Sequence, residues 1–411
     1  MRAPTEFKRL EDVCELFTDG DWIETKDQSS SGIRLIQTGN IGNGEFKDRG
    51  DKARFVSEAT FKRLRCTEIF EGDCLVSRLP DPVGRSCLLP KTGERMITAV
   101  DCTIIRFKRE LIEPKYFHYF AQSDGYFSQV ETLTTGATRQ RISRGNLGSV
   151  VLPRPPLAEQ QRVVAILDEA FAGLATVAAN AEKNLGNARE LLDSYLNSVF
   201  AQKGEHWREV RLGDVCAISV RLVDPREAKF IDLPHLGAGN MASKTGELSD
   251  IKTAREEGLK SGKFLFDETM VLYSKIRPYL MKACRPDFAG LCSADVYPLS
   301  PDVAQLDRNF LFHLLMSKDF TDFAILGSDR AGMPKVNRDH LFKYRVKLPS
   351  VEEQAQLAIK LDLISAETIR LEALYERRLA DIADLKKSIL HKAFSGELTS
   401  APSSAIKEAA E

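Results

Sequence analysis

The most regular hydrophobic pattern in the chain lies in two long stretches, one central and one near the end. After Pro156, apolar side chains recur at spacings of three and four residues until about residue 201. This 3.5-residue period is typical of a coiled-coil seam, and small alanines within it allow a second helix to approach closely. The predicted seam residues are Val164, Leu167, Phe171, Leu174, Ala178, Ala181, Leu185, Ala188, Leu192, Tyr195 and Val199.

The second stretch is less regular and starts after Ser350, where the residues 350–353 form a capping-box pattern. Each helix of about 44 residues would be roughly 65 Å long and could not bury its seam against itself. We therefore predict that the two helices pack together, antiparallel. The alternative is that each packs on its own globular domain. The second predicted seam is Leu357, Leu361, Ile364, Thr368, Leu371, Tyr375, Arg378, Ile382, Leu385 and Ile389.

The rest of the chain alternates short β-like runs with turns rich in Gly, Asn and Asp. Strands are predicted at residues 33–36, 73–77 and 270–273, and helices near residues 114–128 and 308–323. This mixture indicates α/β (mixed α+β) domains with large connecting loops.

The two halves of the chain repeat each other. The sequence RLEDVC at residues 9–14 recurs as RLGDVC at 211–216, and from about residue 100 the halves align without a gap at an offset of 194. Asp101 then meets Asp295, and Ser123 meets Ser317. Such an ordered series indicates a tandem duplication with a pseudo-two-fold internal repeat. The predicted boundaries are 1–152 and 206–348 for two globular domains, 153–205 and 349–396 for two long helices, and 397–411 for a disordered tail.

Charge and cysteine content change this picture only a little. The chain has 58 basic and 59 acidic residues, and this net charge of −1 excludes a uniformly basic coat for nucleic acid but not local basic patches. The eight cysteines form no Cys-x-x-Cys pair, which favours small buried thiols in a reducing compartment. No apolar signal core is present, and we expect no stretch long enough to span a bilayer. A cytoplasmic location without membrane contact is the resulting expectation.

Three loops in each half carry side chains suited to DNA. Arg and Gln read guanine and adenine edges, and Lys or Arg neutralises phosphates. For any single residue a solvated surface role is the main alternative, and the loop 134–144 is the strongest candidate because it has three arginines, one glutamine and no acid. The candidate DNA-binding residues are Asn40, Arg78, Arg85, Arg139, Gln140, Arg141 and Arg144 in the first half, and Asn240, Lys275, Arg277, Arg330, Lys335 and Arg338 in the second.

Motifs that would indicate catalysis are missing from the sequence. Residues 327–332 have the spacing of a phosphate-binding loop, but Met333 and Pro334 stand where the lysine and hydroxyl residue are needed. There is no Gly-x-Ser-x-Gly elbow and no His-Glu-x-x-His helix. We therefore predict no catalytic residue and no metal site in this chain.

Two strings resemble one family. Residues 155–168, PPLAEQQRVVAILD, and the ending KKSILHKAFSGEL at 386–398 resemble the specificity (S) subunits of type I restriction–modification enzymes. The resemblance extends in order over nearly the whole chain up to Thr399, although the globular domains fit only in outline.

The resemblance implies two target-recognition domains held apart by an antiparallel helix pair, each reading one half of a split, asymmetric site in double-stranded DNA. It implies no enzymatic activity and no cofactor in this chain. Two modification subunits would bind S-adenosylmethionine and methylate adenine, and two restriction subunits would use ATP and Mg to translocate and cleave DNA. The repeated Glu-Gln pairs at the start of the long helices are the expected subunit interface, namely Glu159, Gln160, Glu353 and Gln354.

Two other functions stay open at this point. One is a coiled-coil scaffold that binds proteins without reading DNA, which would bind a methyltransferase without any sequence preference. The other is a stand-alone nuclease with an unrecognised site, for which Glu113-Pro114-Lys115 is the only hint. Metal-dependent DNA cleavage by the purified chain would favour it.

Overall fold

The computed structural model describes residues 5–201, 206–328 and 334–398. It divides into two compact units, the first formed by Met1–Asn180 with Arg378–Glu411 and the second by Ala181–Arg377. Each unit contains one globular domain and a segment of both long helices, so the boundaries between units fall inside the helices rather than at their ends.

The first globular domain is built from three sheets. A two-stranded sheet pairs β1 with β11, a four-stranded sheet has the order β2-β10-β7-β8, and a five-stranded sheet has the order β3-β5-β4-β9-β6. β4 and β9 are parallel, whereas the other pairs are antiparallel. The strands are β1 Glu6–Arg9, β2 Cys14–Asp19, β3 Gln28–Ser29, β4 Ile33–Ile36, β5 Arg54–Val56, β6 Glu68–Ile69, β7 Cys74–Ser77, β8 Ser86–Leu88, β9 Met96–Thr98, β10 Cys102–Phe107 and β11 Val151–Arg154.

The second globular domain repeats this plan. It has a two-stranded sheet β12-β22, a four-stranded sheet β13-β21-β18-β19 and a five-stranded sheet β14-β17-β20-β15-β16, again with one parallel pair, β15 and β20. The strands are β12 Arg208–Arg211, β13 Cys216–Ile218, β14 Leu222–Val223, β15 Pro234–Leu236, β16 Lys252–Thr253, β17 Lys263–Phe266, β18 Val271–Ser274, β19 Ala283–Cys284, β20 Gly290–Cys292, β21 Val296–Pro301 and β22 Arg345–Leu348. The predicted duplication and the strands at 33–36, 73–77 and 270–273 are confirmed, the last two within a residue.

The two five-stranded sheets differ at their edges. β3 joins the first sheet beside β5, whereas its counterpart β14 joins the second sheet at the opposite edge, beside β17. These strands lie in the region where the two halves of the sequence match least. The same chain order therefore produces two sheets with different outer surfaces.

The short helices share their capping chemistry between the domains. The predicted helix at 114–128 is two helices, because the Oγ of Ser123 accepts a hydrogen bond from the backbone N–H of Tyr126 and starts a new helix. Ser317 does the same for Phe320 in the second domain. The helices are α1 Glu58–Leu64, α2 Pro114–Phe120, α3 Asp124–Leu133 and α4 Arg144–Gly148, then α6 Leu212–Val215, α7 Arg308–Leu315, α8 Lys318–Leu326 and α9 Arg338–Leu341, with α5 and α10 described next.

The two long helices are α5 Leu157–Ala201 and α10 Val351–Ser395, of 45 residues each. In the first unit the start of α5 packs on the end of α10, where Leu167 and Leu390 are buried in one cluster. In the second unit the end of α5 packs on the start of α10, where Val199 and Leu361 share the core. The helices therefore run antiparallel as a coiled coil, as predicted, and each also packs on domain residues.

The predicted seam is accurate for α5 and only partly accurate for α10. Every predicted seam residue of α5 is buried or half-buried. Arg378 and Leu385 of α10 are exposed instead, and Leu379 and Leu390 turn inward. A helix of 3.6 residues per turn drifts relative to a strict 3.5-residue repeat, so the inward face moves along α10.

The expectation that no stretch could span a bilayer is wrong as far as length and composition are concerned. Among the described residues, α5 is one helix that is long and apolar enough to cross a membrane, and little of its most apolar stretch is buried. Its alanines raise the hydropathy, and its apolar side chains include Val163 and Val164, which pack on Tyr116 and Tyr119 of the first domain. A coiled-coil seam and a bilayer-spanning segment share this composition.

Candidate nucleic-acid interface

The basic loop of the first domain is a closed hairpin with an exposed tip. The backbone N–H of Thr135 donates to the carbonyl of Arg141 (3.0 Å), and the N–H of Arg141 donates back (2.9 Å). Gly136 has φ +102°, and a Cβ there would lie 2.3 Å from the carbonyl oxygen of Arg139, so the tight turn requires glycine. Arg139 and Gln140 stand exposed at the tip. Two side chains with base-reading chemistry are thus presented to solvent.

Two further cations lie at the ends of the basic loops. Arg144 is the first residue of α4 and Arg338 the first residue of α9, and both are exposed. The helices are capped by Ser143 and Asn337, whose side chains accept backbone N–H groups at 3.1 Å and 2.8 Å. Because the caps fix the backbone, these arginines have equivalent positions in the two domains.

Each basic loop is tied to an aspartate. Asp101 pairs with Arg141 at 2.9 Å, and Asp295 pairs with Lys335 at 3.2 Å and with Lys275 at 3.7 Å. These aspartates immediately precede the central strands β10 and β21. The two aspartates are equivalent in the internal repeat, and the sequence alone predicts no role for them. Arg330 lies outside the described residues.

Arg78 and Arg85, predicted to contact DNA, lie in the interior of the first domain instead. The guanidinium of Arg85 donates to the carbonyls of Ile41 (2.7 Å) and Thr38 (2.9 Å), and so joins two loops. Arg78 donates to the carbonyl of Val100 at 2.6 Å, and burial lowers its pKa. Both arginines are less than 10% exposed, so their first role is to brace the loops.

The asparagines Asn40 and Asn240 have an equivalent bracing role. The Oδ1 of Asn40 accepts the backbone N–H of Gln37 at 3.0 Å, and the Oδ1 of Asn240 accepts that of Gly237 at 2.8 Å. Their amide nitrogens donate to backbone carbonyls across the same turns. The side chains are therefore occupied by their own loops, which explains why a Gly-Asn pair occurs in both halves, at residues 39–40 and 239–240.

The second domain has an exposed aromatic residue that the sequence analysis missed. Tyr279 is 54% exposed in the turn Pro278–Leu280. Arg277 and Met281 flank this turn with φ +48° and +49°, a conformation that residues other than glycine rarely adopt. Arg277 is exposed, whereas Lys275 donates to the carbonyl of Ala294 at 2.6 Å. The sequence signal that could have identified Tyr279 is its position two residues after Arg277, a candidate DNA-binding residue.

The predicted subunit-interface residues Gln160 and Gln354 are wholly buried, and their role needs correction. The Oε1 of Gln160 accepts the N–H of Glu113 (3.0 Å), and its Nε2 donates to the carbonyls of Leu111 and Pro155. Gln354 makes the same three bonds in the second domain. These amides attach each long helix to its own domain, because a buried amide must satisfy its donors and acceptor internally. Glu159 and Glu353 are half-buried, and their part in an interface stays a prediction.

An open cavity of about 920 Å³ lies beside the hairpin in the first unit. Gln140 and Gly136 line one side, Pro80 to Val83 another, and Lys386 and Lys387 of α10 a third. The lining also carries the carboxylates of Asp81, Asp124 and Glu131, so the two lysines do not make this cavity a cationic site. In the described part of the chain no three His, Cys, Asp or Glu side chains are grouped so as to hold a metal ion.

All eight cysteines are buried and unpaired, as the sequence predicts. Burial raises the pKa of the Cys87 thiol to about 12 and that of Cys284 to about 12. Thiols of this kind are unreactive core residues rather than nucleophiles.

A sequence model described as the type I restriction modification DNA specificity domain matches this chain twice, over residues 3–183 and 204–382. The chain belongs to this family of DNA specificity proteins. The two matches coincide with the two halves of the internal repeat. As a member of the family the chain is a non-catalytic specificity subunit that recognises DNA sequence, and the scaffold and nuclease alternatives are not favoured.

Similar proteins agree with this assignment. The EcoDI specificity subunit of Escherichia coli is 33% identical over 208 residues, which cover 51% of this chain and 46% of that relative. The StySPI specificity subunit of Salmonella potsdam is 21% identical over 404 residues, covering 89% and 82%. The match therefore spans about half the length of the first relative and most of the second.

Two solved structures share the fold. A chain from a study of complex assembly and conformational transition in the type I R-M system superposes with a TM-score of 0.76 at 20% identity, covering 97% of this chain and all of that one. The HsdS subunit from Thermoanaerobacter tengcongensis gives 0.60 at 21% identity, covering 96% and 97%. The predicted architecture of duplicated α/β domains with two long helices is confirmed.

Proposed function

We propose that each globular domain reads one half of a bipartite, asymmetric site in double-stranded DNA. The observation that supports this most is the duplicated loop architecture, in which Arg141 and Lys335 occupy equivalent places in domains of one fold. The loops differ in sequence although their frames agree. Two loops with similar backbone positions but different side chains would read two different half-sites.

The chain directs chemistry that its partners perform. Two modification subunits methylate adenine with S-adenosylmethionine, and two restriction subunits cleave DNA with ATP and Mg. The family assignment and the full-length likeness to a chain from the type I R-M system support this assembly. The chain itself holds no cofactor and works in the cytoplasm, where its DNA and nucleotide-binding partners are found.

An exchange of one globular domain tests whether each domain reads its own half-site independently of the other. Replacing residues 1–152 by the corresponding domain of a relative should change one half of the methylated sequence and leave the other half intact. Replacing 206–348 should change only the other half. Sequencing of methylated adenines across a host genome reports both halves directly. An exchange that altered both half-sites at once would contradict the proposal.

A further inference from the structure

The same carboxylate stands beside the same basic position in both globular domains. The Oδ1 of Asp101 lies 2.9 Å from a guanidinium nitrogen of Arg141, and the Oδ1 of Asp295 lies 3.2 Å from the Nζ of Lys335. Both members of the second pair follow those of the first by 194 residues, the offset of the repeat. The pair has kept its geometry while the cation changed from arginine to lysine.

The backbone around each pair is also the same. The N–H of Arg78 donates to the carbonyl of Asp101 (2.9 Å), and the N–H of Ile142 donates to the carbonyl of Arg78 (3.2 Å). In the second domain the N–H of Lys275 donates to the carbonyl of Asp295 (3.0 Å), and that of Val336 to the carbonyl of Lys275 (2.9 Å). Each aspartate is thus fixed at the point where the basic loop returns to the domain.

Stability does not account for an ion pair at this position. The side chains of Asp101 and Arg141 are 33% and 46% exposed, and those of Asp295 and Lys335 are 40% and 41% exposed. Exposed ion pairs add little to the free energy of unfolding. An acid within a basic surface also repels phosphate, so its presence lowers non-specific attraction to DNA.

We propose that Asp101 and Asp295 are positioning residues that convert a basic loop from a general phosphate binder into a sequence reader. Each carboxylate holds one cation of its loop, Arg141 or Lys335, in one orientation and removes that cation from the non-specific attraction. The inference rests on the proposed function and deepens it, because it assigns the discrimination between specific and unrelated DNA to a repeated ion pair.

The test compares Asp101→Asn with the wild-type chain, both in complex with the modification subunits. Affinity is measured for a duplex with the recognised site and for an unrelated duplex of equal length, over a range of salt concentrations. The recognised duplex should bind about tenfold more weakly, the loss of roughly one oriented base contact. The unrelated duplex should bind several-fold more tightly, with a salt slope steeper by about one, because one cation is released to phosphate.

Two matched variants complete the experiment. Asp51→Asn makes the same charge change at an exposed position of the first domain, where Asp51 makes no ion pair to a residue that the structure describes, and it should leave both affinities unchanged. Asp295→Asn should repeat the effect of Asp101→Asn, and methylation sequencing should place the two losses of specificity in opposite half-sites.

Other outcomes overturn the inference. If both duplexes bound equally more weakly, the substitution would have damaged the fold. If both bound equally more tightly, the aspartate would only repel phosphate and would not position the cation. If neither affinity changed, the aspartates would have no part in recognition. A wild-type complex that failed to distinguish the two duplexes would instead refute the proposed function. The two failures are therefore separable.

Discussion

Gln140 is uncharged and stands at the exposed tip of the hairpin next to Arg139. An amide adds little to non-specific attraction, but it can form two hydrogen bonds with an adenine edge. Gln140→Ala should therefore cost about 1–3 kcal/mol of discrimination at one position of one half-site, with little change in the salt slope. Competition binding against single-base variants of the site measures this loss.

Arg144 and Arg338 should behave differently, because each is the outermost cation of its loop. Alanine at either position should weaken binding to all sequences alike and reduce the salt slope by about one. The two classes of variant serve as controls for each other. If Gln140→Ala changed the salt slope, or Arg144→Ala changed the base preference, the assignment of Gln140 to a base contact and of Arg144 to a phosphate contact would be wrong.

The buried glutamines show how a single side chain can connect elements. Gln160 and Gln354 each satisfy one backbone N–H and two carbonyls at the junction of helix and domain. An unsatisfied buried polar group costs about 1–3 kcal/mol, so an apolar replacement would destabilise the fold by leaving these backbone groups without a hydrogen bond. Their repetition in the sequence reflects this structural demand.

At the scale of elements, α10 is held to α7 by a second polar junction. Asp362 of α10 accepts from the Nε2 of His313 at 2.8 Å and also pairs with Arg285. Burial raises the pKa of Asp362, but the hydrogen bonds from His313 and Arg285 outweigh it and lower the pKa to about 2. Burial lowers the pKa of His313. The first unit has a counterpart in which Asp168 accepts from Tyr119 at 2.5 Å.

This junction predicts a defined loss of stability in acid. The folded pKa of Asp362 lies below its unfolded value of about 4, so the carboxylate stabilises the fold above pH 4 and the contribution is lost as the pH falls towards 2. Asp362→Asn should be less stable than the wild type at pH 7 and should lack this change between pH 4 and 2. Urea denaturation at a series of pH values measures both effects.

Asp381→Asn is the matched control, since Asp381 is exposed on the same helix. It should leave the pH dependence of the wild type intact. The wild type should also lose stability as the pH falls below about 6.5, because the unfolded chain protonates His313 more readily than the folded chain. This loss should persist in Asp362→Asn. A wild-type chain whose stability was constant from pH 4 to 2 would contradict the assignment.

At the scale of the whole molecule, apolar side chains are left exposed on the long helices. Ile359 and Leu363 are 60% and 66% exposed and lie one turn apart on α10. Exposed apolar patches of this kind mark protein-binding surfaces. We expect two copies of the modification subunit to bind the helices and adjoining domain faces, giving a 2:1 complex by native mass spectrometry.

The substitution of both Ile359 and Leu363 by Asp should remove one of the two copies. Val303→Asp, at a domain residue that is 75% exposed, should leave the 2:1 mass unchanged. A wild-type complex of only 1:1, or a Val303 variant as defective as the helix variant, would count against this surface.

Periodic and repeated features were determined by the sequence alone. The seam of α5, the duplication and the family all depend on patterns between neighbouring residues or between equivalent positions of two copies. Such patterns can be read from the order of the amino acids because helix periodicity is local and a duplication leaves equivalent residues in both copies.

The roles of individual polar residues were decided only by the tertiary structure. Arg85 and Arg139 have the same chemistry, yet one is bonded to carbonyls of residues 38 and 41 and the other is exposed at a hairpin tip. The same holds for Asp101, whose partner is 40 residues away in the sequence. Burial and pairing depend on contacts between distant segments, and the free energy of desolvation then fixes which polar groups the fold uses and which remain for DNA.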